Sequence, residues 1–223
     1  MRRSITLVAA LCLLGCSKPN TSSEAKSKSV EQKAAHVSAQ VPVSAKSPEG
    51  PFGIGMGSDP EALGGQPMGK PTYYKIASPP RPHPEFEYVV VQAAAKAGVC
   101  WVKGIGRNFD SDDFGIAARR HVDEIEAALE SKYGQATKKD ILLTGSLWTD
   151  DRYWMMGLEK GDRVYGYIWD KSQLDAKSWK DLSDIYVGAS AVTAQQAYVV
   201  VEYTFKNKKQ CEDAEKKAAA DAL

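Results

Sequence analysis

Along Phe114–Tyr133 apolar side chains fall at Phe114, Ala118, Val122, Ile125 and Leu129, at steps of four, four, three and four. That spacing puts them on one face of an α-helix. Asp112 or Asp113 stands where an N-cap belongs, and Gly134 follows as a stop. Elsewhere the apolar period shortens towards two. Glu85–Ala94 and Val99–Arg107 read as a hairpin around Lys96-Ala97-Gly98. Further strands are predicted at 141–147, 153–160, 163–170, 184–192 and 197–206, with a short one at Tyr73–Ile76. A short helix is expected within 172–182. The tail 208–222 is predicted helical, with Glu212/Lys216 and Asp213/Lys217 in the favourable i,i+4 order. Near the start, Ser58-Asp59-Pro60-Glu61 matches a capping box with an early proline. Gly64-Gly65 would end that helix after little more than one turn.

This order predicts an α+β fold. A mostly antiparallel sheet would be packed by one long amphipathic helix, with a short N-terminal helix and a C-terminal helix. The globular domain is assigned to 50–223. Residues 16–49 are expected to be a flexible tether, rich in Ser, Lys, Ala and Glu and without aromatics. Such a segment buries too little apolar area to offset chain entropy. As a coil it would span about 30 Å. Residues 79–84, Pro-Pro-Arg-Pro-His-Pro, must run extended, as a rigid connector or a recognition segment.

The segment 153–170 carries the densest aromatic pattern. A Gly161-Asp162 turn of type II′ would pair Trp154 with Trp169, Met156 with Tyr167, and Leu158 with Tyr165 on one face. The other face would hold a Gly157/Gly166 pair and a shallow gap. Either the aromatic face is core beneath the long helix, or it is a platform for a sugar or a partner's loop. The candidate binding surface is therefore Asp150, Arg152, Tyr153, Trp154 and Trp169. If the aromatics are core, Asp150, Arg152 and Tyr153 are the better surface candidates.

Charge narrows the function classes. There are 29 Lys and Arg against 28 Asp and Glu, a net +1. Nucleic-acid binding runs on surplus positive charge, so no nucleic-acid partner is expected. Three His and four Cys make a multi-ligand zinc site improbable on composition. Asp110, Asp112 and Asp113 lack the alternating ligands and closing Glu of a calcium loop. Gly53, Gly55 and Gly57 lack the strand and spacing of a phosphate cradle. No G-x-S-x-G or S-x-x-K is present, and His121 reads as a helix-surface residue. No catalytic residue, metal or cofactor is assigned. Asp150-Asp151 is the best local carboxylate pair, in an expected turn.

The N-terminus carries an address. Arg2 and Arg3 precede a mostly apolar run, Ile5–Leu14, too short to span a bilayer. This is the layout of a secretory signal peptide over 1–15. Leu13-Leu14-Gly15-Cys16 resembles the lipobox of bacterial lipoproteins. The resemblance implies lipid on Cys16 and cleavage after Gly15. Ser17, rather than Asp, after the Cys implies sorting to the outer membrane, facing the periplasm. Cys12 would leave with the signal and Cys16 would take lipid. Cys100 and Cys211 then remain in an oxidising compartment, where one disulfide is the simplest reading and two free thiols the alternative. Gly55-Met56-Gly57-Ser58 with Pro60-Glu61 faintly resembles the opening of small envelope lipoproteins of the outer-membrane assembly-factor type, a hint towards binding.

The expected function is a membrane-anchored, non-catalytic binding module for an envelope protein. One specific form is an immunity or inhibitor lipoprotein against an envelope-acting toxin. The alternative is a lipoprotein that binds or processes cell-wall glycan.

Overall fold

Alternating apolar side chains on the long strands build one antiparallel sheet. The computed structural model describes residues 50–177 and 179–221. The strands are β1 (Gln66–Pro67), β2 (Tyr73–Ile76), β3 (Phe86–Ala94), β4 (Gly98–Gly106), β5 (Phe109–Asp110), β6 (Thr137–Leu142), β7 (Arg163–Trp169), β8 (Leu182–Thr193) and β9 (Gln196–Phe205). Their order is β1-β2-β3-β4-β9-β8-β7-β6, and β5 also pairs with β9. With helices α1 (Ile116–Tyr133), α2 (Trp154–Glu159), α3 (Lys171–Ala176) and α4 (Lys208–Asp221) this is an α+β fold.

Register explains the core. Val91 pairs with Val102, Val102 with Tyr203, Tyr203 with Ile185, and Ile185 with Trp169. Side chains in directly opposed positions share a face, so these five form one row across the sheet. All five are buried. Ala118, Val122 and Ile125 of α1 join the same cluster. The opposite face is mixed, and carries Lys103 paired with Glu202 at 2.9 Å. Helix α4 contacts β3 and β4, and the Cys100 and Cys211 sulfurs lie at 2.00 Å, a disulfide. Beside it Gln92 is fully buried. Its amide donates to Glu215 at 2.9 Å and to Thr72, and its carbonyl accepts from Lys208. A buried amide so satisfied costs little.

Four sequence expectations are corrected. Residues 154–159 are helical, so the 153–170 hairpin does not form and Trp154 does not pair with Trp169. Strand β7 pairs instead with β6 and β8, and Gly166 faces Gly188 rather than Gly157. Tyr186 covers that glycine pair, for a β-carbon on Gly188 would lie 2.0 Å from its hydroxyl. Strand β6 occupies 137–142, not 141–147, because its charged residues suit an exposed edge. Residues 60–64 form turns, not a helix: Asp59 accepts from Glu61 N–H, and Gly65 N–H reaches back to Pro60. One turn is too short to sustain a helix without packing. Phe114 lies before α1 and is half exposed.

The expected signal peptide 1–15, the expected lipidation of Cys16 and the expected tether 16–49 fall outside the described residues. Among the described residues no helix is long and apolar enough to cross a membrane.

Candidate binding surface

Beyond β6 the chain leaves the sheet edge and returns at α2. This connection is tied at both ends. Leu143 N–H donates to the Asp162 carbonyl at 2.7 Å, and Ser146 Oγ donates to the Asp162 carboxylate at 2.9 Å. Trp148 N–H in turn donates to Ser146 Oγ at 3.1 Å. Gly145 takes φ +88°, a conformation that glycine adopts without steric cost. At the far end the Asp150 carboxylate accepts from Arg152 N–H at 3.0 Å and pairs with its guanidinium at 2.9 Å. The backbone bond from Arg152, then its side chain, holds the Asp150 carboxyl below the usual carboxylate range.

These ties place an aromatic and charged cluster at the surface. The Arg152 guanidinium lies 5.4 Å from the Tyr153 ring centre. Tyr153 meets Trp148 edge-on at 5.8 Å and is 40% exposed. Leu147, between Ser146 and Trp148, is 84% exposed. Its side chain stands almost wholly outside the core. Trp, Tyr and Arg are the residue types that dominate protein–protein hot spots. A loop already held in shape loses less entropy on binding.

The sequence-predicted residues divide. Asp150, Arg152 and Tyr153 come together in this cluster. Trp154 and Trp169 are core, at 2% and 0% exposure, and present no ring to a ligand. Trp154 lies near the guanidinium groups of Arg119 and Arg163 and meets Tyr165 edge-on. Trp169 donates its indole N–H to the Gly134 carbonyl. Leu147 and Trp148 were missed. Thr144-Gly145-Ser146 interrupts the apolar pattern just before them and marks a loop.

A second polar cluster lies between α1 and β6–β7. Tyr165 and Tyr167 both donate to one oxygen of Asp123, at 2.7 and 2.8 Å. Lys138 lies 4.8 and 5.4 Å from their ring centres. Burial first, and Asp123 beside them, push both phenols above their ordinary range. The Tyr165 hydroxyl holds Lys138 protonated, well above the usual lysine range. Neutral phenols and a firmly charged ammonium are poor proton carriers at neutral pH. The two Asp123 bonds link α1 to β7.

His121 stacks on Phe109 with ring centres 4.1 Å apart, and its Nδ1 lies 3.9 Å from a Glu85 oxygen. Asp112 accepts from Ile116 N–H, and Asp113 accepts from the Gln195 amide. Among the described residues no three His, Cys, Asp or Glu side chains converge to hold a metal ion. Comparison with known proteins finds no matching family model, no similar curated protein and no similar solved structure.

Proposed function

We propose that the chain is a lipid-anchored protein of the bacterial envelope, held by Cys16 on the outer membrane and facing the periplasm. Its domain is a non-catalytic binding module for another envelope protein. The address rests on Leu13-Leu14-Gly15-Cys16 and the basic-then-apolar start. The observation that carries the binding role is Leu147, exposed on a loop held by its own hydrogen bonds beside Trp148, Arg152 and Tyr153. In this reading α1 is the long amphipathic brace of the sheet, with Val122 and Ile125 inward and Arg120 and Glu124 outward. An inhibitor of an envelope-acting toxin is one form of this role.

A second reading, a cell-wall glycan ligand, is favoured by the Trp148–Tyr153 pair next to Asp150. Aromatic faces with nearby polar groups suit sugar rings. The test is capture from cross-linked envelope by the full chain and by Leu147→Glu. The expected result is one stoichiometric protein, lost in the variant while circular dichroism is unchanged. Equal capture by both chains contradicts the protein-partner reading. Retention of soluble glycan fragments in its place supports the glycan.

A further inference from the structure

A cavity of about 310 Å³ lies on the core side of the sheet and shares no lining residue with the 143–153 loop. It is partly open and is lined by Gly50–Phe52, by Arg81–His83 of the proline-rich segment and by the C-terminal half of α1. Its volume falls at the low end for ligand pockets, about 300–1,000 Å³. Three features show how it is built.

The first is Phe52. It takes φ 54° and ψ 18°, left-handed for a residue with a side chain. Such backbone is costly and concentrates where a side chain must be aimed. Its ring meets Phe86 edge-on at 5.3 Å and Tyr203 at 6.2 Å. The second is Gly104 of β4, beneath that ring. A β-carbon there would lie 2.7 Å from the Phe52 ring and 2.9 Å from that of Phe86. A strained residue and a missing side chain thus combine to line the space with aromatic surface.

The third is charge. Arg81 and Lys132 both line this apolar space. The exposed Lys132 lies over the Tyr133 and Trp179 rings, 4.9 and 4.8 Å from their centres. Burial first, and the Arg81 charge second, lower its pKa. Both cations are exposed and stand beside the apolar lining of the cavity. The complement is an anion that brings an apolar body with it.

We infer that this cavity binds a small amphiphilic anion, a short acyl carboxylate whose chain lies against Phe52 and Leu129 and whose head meets Arg81 and Lys132. The proline-rich segment then acts as a wall of the site, since four prolines hold Arg81 in place at little entropic cost. The inference is independent of the protein-binding loop.

Octanoate is the probe, octanamide its uncharged match, and calorimetry on the full chain the readout. Glu49→Gln is measured alongside, because Glu49 is the acidic residue next in sequence to the wall residue Gly50. The expected result is one octanoate per chain, in the wild type or more tightly in Glu49→Gln. Octanamide should bind about tenfold more weakly, the loss of one charge-assisted contact. Arg81→Ala with Lys132→Ala should remove the preference for the anion while the melting temperature is kept. Octanamide binding as well as octanoate overturns the inference. So does absence of octanoate binding in both the wild type and Glu49→Gln.

Discussion

The indole of Trp154 fills the space that Gly115 leaves open: a β-carbon on that glycine would lie 1.9 Å from Cε3 of the ring. The contact locks the start of α2 to the start of α1, and Met155 N–H adds a bond to the Asp113 carbonyl at 3.1 Å. Gly115→Ala must therefore both strain the backbone, at φ +68°, and displace a buried indole. The expected loss is about 3 kcal/mol. Gly145→Ala is the control. Its φ is +88° but nothing lies within 4 Å, so only the backbone cost of about 1 kcal/mol should appear. Urea denaturation of the two variants checks the difference.

The same contact explains what the sequence hid. Residues 154–159 span under two helical turns, too short for a period of two to be told from 3.6. Trp154, Met156 and Leu158 alternate as a strand would, and Gly157 lowers helix propensity. The vacancy at Gly115, 39 residues before Trp154, decides for helix. By contrast α1, the β3–β4 hairpin, β8, β9 and α4 were legible, because each repeats its period over several turns or strand residues. The site was legible in part. Asp150, Arg152 and Tyr153 stand next to the helix that was misread. Leu147 and Trp148 were hidden because the charged edge of β6 lies earlier than its apolar residues suggest.

The disulfide ties α4 to β4 across 111 residues of chain. Closing so long a loop restricts the unfolded state, and removing such a bridge costs about 2–5 kcal/mol. Cys100→Ser with Cys211→Ser should lower the unfolding midpoint accordingly. Dithiothreitol should do the same to the wild type and have no effect on the variant.

Alkaline titration should report the buried phenols. Burial raises Tyr133, Tyr165, Tyr167 and Tyr203 above the ordinary tyrosine range. A group whose pKa is raised by folding adds stability below its unfolded value, near 10, and loses it as pH rises through the folded value. Their tyrosinate absorbance should therefore appear together with unfolding, not before it. Asp123→Asn removes one cause of the rise at Tyr165 and Tyr167, so ionisation should begin at lower pH.

Acid titration should report the α3 cap. Asp170 accepts from Ser172 and Gln173, and Gln173 reaches back to the Asp170 N–H at 2.7 Å. The Ser172 hydroxyl, then the Gln173 backbone, lower the Asp170 pKa. The sign is opposite to the phenols. This stability is present above the unfolded carboxylate value and is lost as pH falls through the lower, folded value. Asp170→Asn should melt earlier than wild type at neutral pH, with the two melting temperatures converging in acid.

The binding role is tested most directly in living cells, with a photo-cross-linking residue placed at position 147. The same residue at position 192 is the control, since Val192 is another exposed apolar side chain, at the end of β8. The expected result is one discrete protein adduct from 147 and none from 192. No adduct from 147, or the same adducts from both positions, contradicts the claim that this loop holds a protein partner.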